Sequence, residues 1–213
     1  NSWKADVIID KSYPENQHLE NYRDFALYFQ DEDNILGTSF MPYLQNVAGL
    51  TAVNYRLEPW TYREDEGCEF GNMFTPCVAA ESDPATPVLK AHAGDRVMIN
   101  VFGAHNEQNQ MFNMDGHQWR RHLNQKGSDM IDVEQFGAGE YIQAFTKAGG
   151  TYSNPGTYLW LNARTPYQQA GQWGYFKVLP GGDRSILPLG GAAPKPGKTA
   201  SKGAGDDVLS MNK

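Results

Sequence analysis

Pro155-Gly156-Thr157-Tyr158-Leu159-Trp160-Leu161-Asn162-Ala163, followed by Gly174-Tyr175-Phe176-Lys177-Val178, decides the fold. Each run is short, aromatic-rich and opened by a glycine or a Pro-Gly pair, the pattern of a strand leaving a turn. Outward from there, Val7–Ile9, Phe25–Phe29, Val88–Lys90, Arg96–Phe102, Met111–Met114 and Tyr141–Phe145 read the same way, with Gly, Pro and Asn turns between them. Long stretches of helical period are almost absent, so the chain is expected to be all-β, with regular short strands forming a sandwich.

The quoted stretch resembles the C-terminal copper-binding segment of multicopper oxidases, Pro-Gly-Thr-x-x-x-His-Cys-His-x-x-x-His-x-x-x-x-Met, with every ligand replaced. His-Cys-His falls on Leu161, Asn162 and Ala163, the later His on Tyr167 and the axial Met on Gln172. The upstream family segment, His-Pro-x-His-x-His-Gly, falls on Gln110, Asn113 and Asp115 at its ligands, while Phe112, Gly116 and the trailing His117 keep the family's appearance. Val88–Val97 is similar to the strand and Gly-Asp turn that open a cupredoxin core. Tyr28–Glu32 and Asn54–Trp60 resemble segments of large bacterial multi-domain copper oxidases, manganese oxidases among them. The resemblance implies a cupredoxin-like Greek-key β-sandwich with long loops and a flexible C-terminal tail. Its implied core is 86–180, preceded by an N-terminal extension and insertion over 1–85 and followed by a Gly/Pro/Lys-rich tail over 181–213.

A blue copper site needs a thiolate and two imidazoles. None stands at these positions, so no copper cofactor is expected in this chain; copper would belong to partner domains. Other candidate ligands are sparse. His92, His105, His117 and His122 are the imidazoles of the β body, and His105 and His117 are the candidates for a non-blue metal site; Arg120 and Arg121 oppose a cation between His117 and His122. Asp31, Glu32 and Asp33, and Glu64, Asp65 and Glu66, are carboxylate clusters of the kind hard cations prefer, without the spacing of a calcium loop. Cys68 and Cys77 are a disulfide candidate in one loop.

The 213 residues suffice for one full core, and 40% apolar with 20% charged residues are globular values. A net charge of −7 argues against nucleic acid as a partner. No run approaches the length of a membrane span. From Gly181 onward no aromatic residue occurs, and such a tail buries too little surface to order itself. No Gly-x-Ser-x-Gly elbow, phosphate loop or dinucleotide motif occurs, so no catalytic residue is assigned.

The expected function is a copper-free cupredoxin domain, serving as a structural or interface subunit, or fragment, of a multicopper-oxidase-like assembly whose oxidation chemistry other domains perform. Its partners would be other cupredoxin domains or chains, in the periplasm or outside the cell. The alternative is a non-enzymatic binding or self-assembling structural protein on the same scaffold. A third reading is a small enzyme with a non-blue metal at His105 or His117.

Overall fold

A computed structural model describes residues 3–31, 51–65, 67–75, 83–106 and 108–190. The strands in chain order are β1 (Lys4–Val7), β2 (Tyr22–Gln30), β3 (Ala52–Val53), β4 (Leu89–His92), β5 (Arg96–His105), β6 (Gln110–Met114), β7 (Trp119–Arg120), β8 (Met130–Ile131), β9 (Val133–Phe136), β10 (Tyr141–Lys147), β11 (Gly156–Asn162) and β12 (Trp173–Leu179). Two short helices, α1 (Trp60–Asp65) and α2 (Thr165–Gln169), interrupt them. One sheet runs β1-β2-β5-β10 with β3 on β2, the other β4-β12-β11-β6-β9, and β7 and β8 form a small ribbon. The β2/β5 and β4/β12 pairs are parallel; the other strand pairs are antiparallel. The expectation of an all-β, cupredoxin-like sandwich is met.

The core forms because inward positions recur at every second residue of each strand. On β2 these are Phe25, Leu27 and Phe29, all buried. The Phe29 ring lies edge-on to Phe136 at 5.4 Å and Trp160 at 6.1 Å, joining the two sheets. Trp160 lies opposite Gly174 in register and donates its Nε1–H to the Pro87 carbonyl at 3.1 Å. A Cβ at position 174 would collide with the indole, which is why glycine stands second in this strand.

Within the 1–85 segment, β2 lies between β1 and β5 and supplies three inward apolar side chains to the core. One strand expectation needs correction. The first strand is Lys4–Val7 rather than Val7–Ile9: its register with β2 sets Lys4 against Phe25, and Ile8 is exposed. Just beyond Gly181 the chain is anchored to the body at two points: Arg23 donates to the Leu187 carbonyl at 2.7 Å and the His92 ring bonds the Asp183 carbonyl at 2.8 Å. Single polar anchors inside an apolar-poor segment leave no periodic signal, so composition alone missed them.

Candidate functional site

Four of the eight template ligand positions come together at one end of the sandwich, as a closed amide network. Gln110 opens β6, Asn162 ends β11, Tyr167 lies in α2 and Gln172 precedes β12; all four are buried. The Asn162 amide donates to Gln172 Oε1 at 2.6 Å and to Gln110 Oε1. Gln172 donates to the carbonyls of Gln30 at 2.9 Å and Ala52 at 3.4 Å. Gln110 donates to Asp31 Oδ2 at 2.5 Å and the Gln108 carbonyl at 3.1 Å. A primary amide has two N–H donors. Each amide here therefore uses both.

The orientation of Asn162 is fixed independently. Its Oδ1 accepts from the backbone N–H of Arg164 at 3.0 Å and of Met111 at 3.3 Å. The first of these bonds also turns the chain into α2, whose Pro166 sits in the first turn where a missing N–H costs nothing. Burial, and next the charge of Asp31, push the Tyr167 phenol above its usual range, with the Arg164 guanidinium over the ring at 4.8 Å opposing. The phenol therefore stays neutral, and the cluster has one carboxyl, Asp31, with the Arg164 guanidinium at its edge donating to Gln108 Oε1 at 2.9 Å. These donors do not fit copper: no thiolate or imidazole is present, and the amide oxygens already accept hydrogen bonds.

The other four positions scatter. Leu161 packs with Trp173 and Tyr175 in a second apolar cluster. Ala163 is exposed, and its N–H bonds the Met111 carbonyl at 2.8 Å. Asn113 and Asp115 line a groove of about 1080 Å³ that Tyr22, Met98 and Phe145 also line.

His117 is buried with both ring nitrogens used: Nδ1–H donates to the Asp115 carbonyl at 2.7 Å, and Nε2 accepts from the Gly149 N–H at 3.0 Å. Burial lowers its pKa, opposed by its bond and charge interaction with Asp115. Neither ring nitrogen is free for a metal while these bonds hold. His105 ends β5 in register with Gln30, and its side chain lies outside the described residues. His92 bonds Asp183, and His122 is exposed. Among the described residues, no group of three or more His, Cys, Asp or Glu could hold a metal.

Of the acidic clusters, Asp31 is buried in the amide network, Glu64 and Asp65 are exposed, and Glu32, Asp33 and Glu66 lie outside the described residues. Cys68 is buried and disulfide-bonded; its expected partner Cys77 lies outside the described residues. The sequence reading missed Gln30 and Gln108 as members of the network. The available signal was a set of amides at strand positions whose neighbours two residues away, such as Phe112 and Trp160, face inward.

No protein-family model matches the chain, and no curated protein does. Solved structures with a similar arrangement include a multicopper oxidase from Pediococcus acidilactici (9% identity, 76% of this chain, 27% of that one, TM-score 0.48). The McoA multicopper oxidase from Aquifex aeolicus is 13% identical over 82% of this chain and 31% of its own, with a TM-score of 0.47. A laccase from Botrytis aclada is 14% identical over 81% of this chain and 31% of its own, with a TM-score of 0.46. The chain thus spans less than half the length of the structures it matches. At these scores the likeness decides no function; the strand order and the two parallel pairs carry the fold. The chain is an all-β, cupredoxin-like sandwich, similar in fold to the domains of multicopper oxidases.

Proposed function

We propose that this chain is a copper-free cupredoxin-like domain with a structural and interface role in a larger multicopper-oxidase-like assembly, any oxidation being performed by other domains. The observation that carries this reading is the amide network. Side chains from β6, β11, α2 and the approach to β12 converge where the resemblance places blue copper and its axial ligand, and their donors are consumed by oxygen acceptors. A fully satisfied buried network rigidifies its surroundings. Here it does mechanical work that a metal would do elsewhere, because Gln172 and Gln110 fasten Gln30, Asp31 and Ala52 of one sheet to strands of the other. The disulfide at Cys68 supports an oxidising, periplasmic or extracellular location. Among the described residues, no helix is long and apolar enough to cross a membrane.

The test is metal uptake read by mass spectrometry and visible absorption. The chain exposed to copper under reducing and oxidising conditions is expected to retain no stoichiometric copper and show no thiolate-to-copper band. Stoichiometric blue copper in the unaltered chain would overturn the reading. The fourfold variant Gln110→His, Asn162→Cys, Tyr167→His and Gln172→Met is expected to acquire such a band, because the backbone already gathers these positions.

A further inference from the structure

The groove of about 1080 Å³ takes no part in the amide network and opens near the start of β2, at the other end of that strand. Strands of both sheets and the β7–β8 ribbon line it. Its apolar part is built on adjacent strands: Met98 and Phe145 lie directly opposite one another, and the Tyr22 ring meets Phe145 at a right angle with centroids 5.9 Å apart. Tyr22 and Phe145 are only partly buried, so both reach solvent. Around them stand three carboxylates, Glu20, Asp115 and Asp132, and three cations, Arg96, Arg120 and Lys147. Their formal charges cancel, on a chain whose net charge is −7.

Some of these groups are already engaged. Glu20 and Arg96 pair at 2.5 Å, and Lys147 donates to the Thr151 carbonyl at 2.8 Å. Others are not. Among the described residues the carboxylates of Asp115 and Asp132 enter no hydrogen bond or ion pair, and both residues are exposed. Asn113 gives an N–H to the Asp132 carbonyl at 3.0 Å and keeps its amide oxygen free, while Arg120 reaches only the Ser128 carbonyl at 3.5 Å and leaves most of its fork of donors unused. An anion in the groove would meet Asp115 and Asp132, a cation would meet Arg120 and Lys147, and a hydrocarbon would leave all of them unbonded. A hydroxyl group both donates and accepts, so a neutral polyol satisfies both kinds at once. Asp115, Asp132 and Asn113 offer more acceptor sites than Arg120 offers donors, and a sugar ring brings several O–H donors where a peptide brings one N–H per residue. A pyranose also has an apolar C–H face suited to an aromatic ring.

We propose that this groove binds a short neutral oligosaccharide, one ring packing on Tyr22 and Phe145 while hydroxyls donate to Asp115 and Asp132 and accept from Arg120. The groove's volume slightly exceeds the usual range of about 300–1,000 Å³ for small-molecule sites, which favours a chain of a few sugars over a single ring. The site uses none of the residues that carry the copper-free reading, so either proposal can fail without the other.

Calorimetric titration of the 213-residue chain with four neutral trisaccharides, cellotriose, maltotriose, mannotriose and tri-N-acetylchitotriose, reads the binding directly. At least one is expected to bind with a Kd of about 1 mM or tighter. Raising the salt from about 50 to 500 mM should change that Kd less than about twofold, since the ligand carries no charge to screen. Phe145→Leu, which keeps an apolar side chain but removes the ring, should weaken binding about threefold to tenfold. Asp132→Ala should weaken it at least about tenfold, and because Asp132 is exposed the urea midpoint should not move. Glu64→Lys on α1 should leave binding unchanged. Failure of all four sugars to bind at that strength overturns the proposal, as does binding indifferent to both site variants. Tighter binding of the anionic trimer of galacturonic acid, or of trialanine, than of every neutral sugar overturns it as well, and would assign the groove to an acidic or a peptide ligand.

Discussion

β2 carries a polar cluster at each of its ends, and the two are built on opposite principles. At its start, Arg23 is a buried cation with Asp95 at 2.6 Å, Asp6 at 2.9 Å, the Leu187 carbonyl at 2.7 Å and the His92 ring at 3.4 Å. At its finish, Gln30 and Asp31 enter the amide network, where the bonding is done mostly by neutral groups. The charged clasp holds the two chain ends, β1 and the segment after β12, against the β4–β5 turn. The amide network holds the two sheets together at the end where the resemblance locates metal. Desolvating a charge costs far more than desolvating an amide, so the clasp depends on every partner being present. The amide network spreads a smaller cost over many bonds, and a neutral amide cannot be lost by titration.

The largest effect is therefore expected at the clasp. Arg23→Leu strips the counter-charge from Asp95 and the donor from Leu187, and should cost about 3–5 kcal/mol in urea unfolding, the range for breaking a buried pair from one side. The segment 183–187 should gain amide exchange in the same variant, because Arg23 supplies one of its anchors. The loss should shrink when Asp95→Asn is added, which removes the stranded carboxylate charge. A loss unchanged by that second substitution would mean that packing, not charge, holds this end.

Asn162→Leu tests the other end. The change leaves Gln110 Oε1, Gln172 Oε1 and two backbone N–H groups without their partner, and should cost about 2–4 kcal/mol, since each orphaned buried group costs roughly 1–3 kcal/mol and relaxation recovers part. Its penalty should hold constant from neutral to mildly acid pH. A cost below about 1 kcal/mol would show that water or repacking replaces the amide readily, and the network could not then be the fastener between sheets.

These two ends also differ in how far they could be read beforehand. The amide end was legible as a set of missing donors: the spacing from Pro155 to Gln172 aligned Asn162 and Gln172 with metal ligands, and the structure brings both into one cluster. What took the metal's place was not legible, because Gln30 and Asp31 lie far from Gln110 and Gln172 in sequence and their role exists only once β2 lies beside β5. The clasp was invisible for the same reason. Arg23, Asp95 and Leu187 share no motif, and alternation on β2 shows only that position 23 faces inward. Strands of the second half were found to within a few residues because their apolar alternation is local. The two-residue strands Ala52–Val53, Trp119–Arg120 and Met130–Ile131 were missed, since such ladders carry no period to detect, and so was Val133–Phe136, where Glu134 and Gln135 interrupt the apolar alternation.

The smallest expected effect concerns His117, which lies at neither end but beneath the groove. Its ring rests edge-on to Tyr158 at 4.7 Å and against Phe176 at 5.1 Å, with a donor on one nitrogen and an acceptor on the other. Protonation would place a second N–H where the Gly149 N–H now points, and would charge a group that burial keeps neutral. The unfolded chain takes up this proton near the ordinary value of 6.5, whereas the folded chain takes it up only at lower pH. Between those two points the unfolded state binds more protons, so stability is complete above about 6.5 and falls as pH drops through that window. Asp115 beside it has a raised pKa, caused first by burial, and acts in the opposite sense nearer the carboxylate range. Urea midpoints at pH 7.5 and 5.5, chosen to bracket roughly the upper part of the His117 window, should differ in the unaltered chain. The difference should narrow in His117→Gln, whose amide oxygen can still accept from Gly149 without titrating. An unchanged difference would place the pH sensitivity outside His117 and leave its buried neutral ring without a part in it.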